Sequence, residues 1–258
     1  MLLAFDDDGP GPVVVLLHGF PLDRRMWDLQ RAEVGSVYRV ITPDLRGHGE
    51  TAVPDGVYAI DTMADDVIDT LDALNLTDPV VLGGHSMGGY VALSIALRHP
   101  DRLRGLVLIN TRAGADGEST ARGREDLARA VERDGTAGPV VEAMLPKLFS
   151  PVGYARNPQA VETIRAQMAR TDPRAVANTL RGMATRPDRT GDLGRIGVPT
   201  LVLAGADDQM IPIDESRSIA EGIPGARLIV IPDSGHMAPI ENKAATDRAL
   251  LDFLGSIS

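Results

Sequence analysis

Gly84-His85-Ser86-Met87-Gly88-Gly89 places one serine among glycines, and the interpretation of the whole chain starts from this stretch. The residues just before it, 79–83, form a short apolar run that is typical of a buried strand. From Met87 to Arg98, apolar residues recur at helical spacing. The predicted context is therefore a strand, a tight turn and a helix. In a G-x-S-x-G turn of this kind the serine has a strained backbone that exposes its hydroxyl, and the flanking glycines prevent clashes.

A serine hydroxyl is a weak nucleophile near neutral pH, so Ser86 would need a histidine base that is oriented by a carboxylate. The chain contains five histidines. Two of them lie well before the serine, and His85 adjoins it, so the His85 side chain should leave the turn in another direction. His99 ends the predicted helix, roughly 18 Å from Ser86 for 12 residues. His236 remains, and it follows a strand-like run at 226–231, where sites of α/β sheets form.

Two neighbouring aspartates are candidates for the carboxylate. The run from 199 to 205 is typical of a buried strand, and Asp207 and Asp208 follow it directly. Either aspartate could orient the histidine, and the other would belong to an Asx turn. Ser86, one of these aspartates and His236 follow one another in the order serine, acid, histidine, each just beyond a predicted strand. This order along the chain distinguishes one serine-hydrolase fold from the unrelated folds that use the same three residue types.

With these residues in place, the chain resembles the α/β-hydrolase family over nearly its whole length. The segments that carry the resemblance are His18-Gly19-Phe20-Pro21, Asp44-Leu45-Arg46-Gly47-His48-Gly49, the Ser86 stretch, Gly205-Ala206-Asp207-Asp208 with Pro212, and Gly235-His236. The family's spacing favours Asp208 over Asp207. Acyl transfer also needs two N–H donors for its oxyanion, one from Met87 after the nucleophile and one, by the family's position, from Phe20.

Within the family, the chain is similar to small serine esterases, enol-lactonases and cofactor-free haloperoxidase or perhydrolase relatives. Ser86 argues against epoxide hydrolases and haloalkane dehalogenases, which carry aspartate at this position. The resemblance implies hydrolysis of a carboxylic ester or lactone by Ser86, Asp208 and His236 through an acyl-enzyme, with no cofactor and no metal. Three alternatives stay open. The first is a perhydrolase or haloperoxidase-like activity of the same three residues, and the second is a ligand receptor of the same fold with slow turnover. The third, a carbon–carbon bond hydrolase, is disfavoured because its relatives usually carry Gly-Ser-Gly after the first His-Gly region and asparagine at the position of His85.

Short apolar runs alternate with helical patterns, which is typical of an α/β fold with a mostly parallel sheet and helices on both faces. The predicted strands are 2–5, 12–18, 38–42, 79–83, 105–110, 199–205 and 226–231, and predicted helices lie near 61–75, 87–98, 213–222 and 241–254. After Asn110 the alternation stops, and four helical stretches follow near 120–134, 136–148, 158–171 and 173–185. We therefore predict an α/β-hydrolase core over 1–112 and 191–258, with an inserted helical cap over 113–190.

A cap between two site-bearing strands should cover the substrate pocket. We predict that Trp27, Met144, Leu148 and Met237 line this pocket. Because methionine side chains adapt to irregular volumes, we expect the pocket to accept several small or medium acyl groups.

Composition limits the classes of partner. A net charge of −10 without a long basic run argues against nucleic acid and against an anionic membrane surface. The absence of cysteine excludes disulfides, thiolate catalysis and zinc–thiolate sites. No apolar run approaches the roughly 20 residues of a membrane span, and the first residues lack the features of a secretory signal. We expect a cytoplasmic protein that acts on a small-molecule ester or lactone; its oligomeric state is left open.

Overall fold

The structure, a computed structural model, describes residues 1–257, so the last residue of the predicted core range, Ser258, lies outside the described residues. Within them, seven strands form one sheet in the order β1-β3-β2-β4-β5-β6-β7. The strands are β1 (Phe5–Asp8), β2 (Val13–Leu17), β3 (Arg39–Pro43), β4 (Val80–His85), β5 (Leu103–Ile109), β6 (Thr200–Gly205) and β7 (Arg227–Ile231). Only the β1–β3 pair is antiparallel among the pairs of this sheet. The predicted mostly parallel sheet is confirmed.

The central strands are continuous apolar runs because both of their faces are covered. Every residue of β4 and of β6 is buried. The helices are α1 (Asp28–Val34), α2 (Ile60–Ala73), α3 (Met87–Arg98), α4 (Glu118–Asp134), α5 (Gly138–Leu148), α6 (Pro151–Arg156), α7 (Pro158–Arg170), α8 (Pro173–Ala184), α9 (Ile213–Gly222), α10 (Ala238–Glu241) and α11 (Lys243–Ser256). Around the sheet, α1 packs with α11, and α2 packs with α3. In the described part of the chain, no helix is long and apolar enough to cross a membrane.

The strand order places a crevice at the carboxyl end of the sheet. The strand β2 lies between β3 and β4, so the chain proceeds to one side of β2 and then to the other. Ligands of open α/β sheets bind where the strand order reverses in this way. The loops that follow β2 and β4 carry Phe20 and Ser86, so two of the predicted site residues lie at this reversal.

A helical insertion, which we define as α4 to α8, separates β5 from β6. Its two ends meet: the Arg189 N–H donates to the Ala113 carbonyl at 3.0 Å, and Arg186 Nη2 donates to the Gly114 carbonyl at 2.9 Å. The helix α6 is an addition to the four predicted stretches. Its first turn is capped by the Ser150 hydroxyl, which accepts from the Gly153 N–H at 2.9 Å. That the insertion covers a substrate pocket stays a prediction.

The predicted strand over 2–5 is wrong. The first strand begins at Phe5 and consists mainly of aspartates, with Asp7 paired to Arg39 at 2.7 Å and Asp8 to Arg31 at 2.6 Å. Ion pairs and the ladder to β3 hold this polar strand at the edge of the sheet, where charged residues are tolerated, so hydrophobicity could not locate it.

The predicted helix near 241–254 corresponds to α11, which spans Lys243–Ser256 and is preceded by the short helix α10, which was not predicted. The chain leaves helical geometry at Asn242, whose side-chain oxygen accepts from the Ala245 N–H at 3.2 Å and starts α11. This N-cap interaction fixes the start of α11. The helix α1 was not predicted.

Candidate active site

Ser86 lies at a sharp turn between β4 and α3. Its backbone has φ 52° and ψ −113°, which is a strained conformation for a residue other than glycine. The Ser86 N–H donates to the Ile109 carbonyl at 2.9 Å, and the Ser86 carbonyl accepts from Thr111 Oγ1 at 2.7 Å. Hydrogen bonds from the neighbouring strand end therefore hold the turn in the conformation that the G-x-S-x-G pattern predicts.

The glycines of the turn leave no room for a side chain. A Cβ atom on Gly84 would overlap the main chain of Gly88, and one on Gly88 would overlap the carbonyls of Leu17 and His18. The first turn of α3 can therefore approach both its own strand and β2 closely.

We expect Gly84→Ala to lower the free energy of unfolding by about 1–3 kcal/mol, because the new methyl group can be accommodated only by moving backbone. The matched control is Gly123→Ala in α4, where no atom lies within 4 Å of the added Cβ. This control should raise stability by up to about 1 kcal/mol, since alanine is the better helix former. Urea unfolding of both variants measures the two changes, and equal effects would contradict the packing argument.

His236 and Asp208 form a hydrogen-bonded pair. His236 Nδ1 donates to Asp208 Oδ2 at 2.9 Å, and both side chains are almost fully buried. With Nδ1 protonated, the Nε2 atom of a neutral His236 is free to accept a proton. Asp207, the other sequence candidate, is exposed, and its N–H donates to the Ser234 carbonyl at 2.9 Å.

Four N–H donors surround the Asp208 carboxylate. Oδ1 accepts from the backbone N–H groups of Met210 and Ile211 at 2.8 and 2.9 Å, while Oδ2 accepts from Asn110 Nδ2 at 2.7 Å and from His236. Burial by itself would raise the pKa of Asp208, but the adjacent His236 and these donors hold it below its usual value. The carboxylate is thus kept ionised and fixed in orientation.

His85 contacts the loop that carries His236. Because a carbonyl can only accept, His85 Nε2 carries the hydrogen and donates to the His236 carbonyl at 2.7 Å. The two imidazole rings lie 4.8 Å apart between centroids. Burial, above all, lowers the pKa of His85 to about 3, so its ring is neutral near pH 7. The expectation that the His85 side chain leaves the turn was sound, but the partner it reaches was not predicted.

The loop after β2 lies against Ser86. A Cβ atom on Gly19 would come within 3.3 Å of the Ser86 Cβ. His18 supports this loop, since its Nδ1 donates to the Gly19 carbonyl and its Nε2 accepts from the Leu45 N–H, both at 2.9 Å. Within residues 1–257, neither the Phe20 N–H nor the Met87 N–H donates to another protein group. Met87 is the first residue of α3, where N–H groups have no intrahelical acceptor.

The structure brings some of the predicted pocket residues next to this site. The Trp27 ring is fully buried, with its centroid 6.4 Å from that of His85. Leu148 and Met237 are joined through the Met237 N–H, which donates to the Leu148 carbonyl at 3.1 Å. Met144 is partly buried against the core. Contact of these four residues with a substrate stays a prediction.

Three contacts of the site were missed by sequence reasoning: the Asn110 amide on Asp208, His85 on the His236 carbonyl, and Glu241 beside Gly235. Asn110 gave a signal, because it ends a predicted strand directly where the regular alternation stops. Glu241 and His85 gave no such signal. Each is brought to its partner, Gly235 or His236, only when the loop that carries both partners packs in the folded protein.

Comparison with known proteins agrees with this architecture. Residues 12–243 match the family model described as the alpha/beta hydrolase fold. The match covers most of the chain and includes the Ser86 turn, Asp208 and His236. The chain therefore belongs to the α/β-hydrolase family.

Particular relatives lie in three of the groups that the sequence resembles. A thermophilic esterase from Thermogutta terrifontis, solved with malate bound, is 43% identical with a TM-score of 0.96 and is matched over 99% of this chain and 93% of its own. 3-Oxoadipate enol-lactonase 1 of Acinetobacter baylyi is 30% identical over 99% of this chain and 94% of its own length. Non-heme chloroperoxidase CPO-A1 of Kitasatospora aureofaciens is 34% identical over 98% and 95%, respectively. The resemblance to esterases, enol-lactonases and haloperoxidases is confirmed.

Proposed function

We propose that the protein is a serine hydrolase that cleaves a carboxylic ester or a lactone through Ser86, His236 and Asp208. The observation that carries the proposal is the buried His236–Asp208 hydrogen bond of 2.9 Å at a site whose serine has the strained backbone of a nucleophile turn. This bond sets the His236 tautomer whose Nε2 can act as a base, which is what activation of a serine requires.

In the proposed reaction, Ser86 Oγ attacks the carbonyl carbon while His236 Nε2 takes its proton. Asp208 stabilises the imidazolium that forms. The tetrahedral oxyanion accepts hydrogen bonds from the Phe20 and Met87 N–H groups, which have no acceptor among the described residues. His236 then returns the proton to the leaving alkoxide oxygen, and an acyl-enzyme is left on Ser86.

Water completes the reaction. His236 takes a proton from a water molecule as its oxygen attacks the acyl carbon, and the Ser86 oxygen leaves with the proton that His236 returns. An ester yields an acid and an alcohol in separate steps. A lactone keeps its leaving oxygen tethered, so one ring-opened acid is released after deacylation.

The choice of ester or lactone is supported by the names of relatives, which include an esterase, enol-lactonases and candidate carbamate hydrolases. The Thermogutta terrifontis esterase has the highest identity of these, and the fully buried apolar side chains of Trp27 and Met237 near the site suit an apolar acyl or alcohol group. Esters and lactones both react at a carbonyl carbon that carries an oxygen leaving group, so one catalytic arrangement serves both.

The test is a panel of p-nitrophenyl esters of increasing acyl length, with small lactones and an aryl carbamate, measured on the wild type and on Ser86→Ala. We expect turnover of at least one ester or lactone by the wild type and its loss in the variant. A folded wild type that turns over no member of the panel, and whose Ser86 is not labelled by a fluorophosphonate, would contradict the proposal and favour a ligand receptor.

A second candidate is a perhydrolase activity, favoured by the 34% identity to a non-heme chloroperoxidase. Here hydrogen peroxide replaces water in the second step and releases a peracid, which oxidises a halide in solution. Bromination of an indicator by hydrogen peroxide, dependent on both acetate and Ser86, would support this activity. Bromination that survives in Ser86→Ala would contradict it.

A further inference from the structure

The main chain around His236 is held by three separate parts of the molecule. The Gly235 N–H donates to Glu241 Oε1 at 2.8 Å, the His236 carbonyl accepts from His85, and the Met237 N–H donates to the Leu148 carbonyl. The peptide group between His236 and Met237 is therefore held at both its carbonyl and its N–H, and the peptide group before Gly235 is held at its N–H. Of these partners, Leu148 belongs to the helical insertion, and Glu241 is hydrogen-bonded to it.

Glu241 bridges the insertion and the loop of His236. Its second oxygen, Oε2, accepts from both the backbone N–H of Ser150, at 2.8 Å, and the Ser150 hydroxyl, at 2.7 Å. Ser150 lies between α5 and α6 and is fully buried. Thus one carboxylate takes hydrogen bonds from the insertion with one oxygen and from the residue before His236 with the other.

The two bridged segments also pack closely. A Cβ atom on Gly235 would come within 2.7 Å of the Ser150 backbone nitrogen. Because the two segments are in contact at this point, a displacement of Ser150 would also displace Gly235. Such contiguous packing is a physical route by which one element sets the position of another.

We propose that Glu241 is a positioning residue for His236, through which the helical insertion fixes the loop that holds the catalytic base. The proposal rests on the role proposed above for His236. It also assigns a task to the insertion that is separate from the predicted covering of a pocket, since its segment at Ser150 becomes part of the support of the base. Catalysis is sensitive to such support, because a misplacement of about 1 Å can cost about 100-fold in rate.

A different contact between the insertion side and the core provides the matched control. Arg189, just after the insertion, pairs with Asp61 of α2 at 3.0 Å, and this pair does not touch the loop of His236. Asp61→Asn therefore weakens the attachment of the insertion without changing the support of the base. Glu241→Gln keeps the size of the side chain but presents an amide, whose NH₂ group cannot accept from Gly235 or Ser150 N–H.

The experiment measures kcat and KM of four variants for the ester that the wild type hydrolyses best. They are Glu241→Gln, Ser150→Ala, the double variant that combines these two substitutions, and the control Asp61→Asn. We expect kcat to fall about 10- to 100-fold in Glu241→Gln with little change in KM. Ser150→Ala should show a smaller fall of the same kind, and the double variant should be little worse than Glu241→Gln, because both substitutions break one network. Asp61→Asn should keep the kcat of the wild type.

A second measurement does not depend on turnover. The Nδ1–H of His236, hydrogen-bonded to Asp208, should give a downfield proton resonance in the wild type that is broadened or lost in Glu241→Gln and retained in Asp61→Asn. The proposal is overturned if Glu241→Gln keeps both kcat and the resonance, or if Asp61→Asn lowers kcat as much. If the wild type hydrolyses nothing and its Ser86 is not labelled by a fluorophosphonate, the proposed function fails, while the resonance still decides whether Glu241 positions His236. Should Glu241→Gln not fold, Ser150→Ala carries both measurements.

Discussion

Replacing Ser86 with alanine is expected to lower kcat for ester hydrolysis by about 10⁴- to 10⁶-fold. The reason is that Ser86 Oγ is the attacking atom of the proposed reaction, and it is carried by a turn whose backbone is held by hydrogen bonds with the Ile109 carbonyl and Thr111 Oγ1. Substrate binding and the oxyanion donors would remain in the variant. Steady-state kinetics on the preferred ester, with the melting temperature as a check of folding, measures the effect.

The matched control is Ser94→Ala. Ser94 lies on α3, the helix that follows Ser86. It is buried and donates to Asp61 Oδ1 at 2.6 Å, so its replacement also removes one buried hydroxyl and one hydrogen bond. We expect this variant to lose some stability and to keep its kcat. Turnover by Ser86→Ala at a substantial fraction of the wild-type rate would exclude the acyl-enzyme reaction.

The second large effect separates two adjacent aspartates. Asp208→Asn is expected to lower kcat by about 10⁴-fold, because an asparagine amide can donate to His236 Nδ1 and so favours the tautomer with a proton on Nε2. That tautomer cannot accept a proton from Ser86. Asp207→Asn should have little effect on kcat, since the Asp207 side chain is exposed and its backbone N–H contact to Ser234 is unchanged.

Both asparagine variants remove one negative charge at neighbouring positions, so the pair controls for a general change in electrostatic potential. Measurement of kcat over a range of pH, with fluorophosphonate labelling of Ser86 as a readout of nucleophile activation that needs no substrate turnover, distinguishes them. Equal losses in the two variants would mean that charge, and not the orientation of His236, is what matters. A loss of kcat in Asp207→Asn alone would mean that Asp207, and not Asp208, orients His236.

The architecture was predictable because its signals are local. The central strands β2, β4 and β6 each follow a proline directly, and the turn at Ser86 has glycines at the positions where a side chain would overlap backbone. Parallel strands then place their carboxyl ends at one edge of the sheet, and Ser86, Asp208 and His236 follow the ends of β4, β6 and β7 there. Where local hydrophobicity was absent, as at the aspartate-rich β1, the prediction failed.

The sequence by itself determined the order and type of the main elements, the α/β-hydrolase family, and three candidate catalytic residues. It left Asp207 and Asp208 equivalent as residues, and family spacing alone favoured the second. Only the tertiary structure shows that Asp208 receives His236 Nδ1 while Asp207 faces solvent. Likewise, only the tertiary structure shows the hydrogen bonds between His85 and His236, 151 residues apart, and between Ser150 and Glu241, 91 residues apart. The physical reason is that a hydrogen bond needs two groups within about 3 Å. Strand and helix patterns constrain neighbours in sequence, whereas the packing of separate loops decides which distant groups come that close.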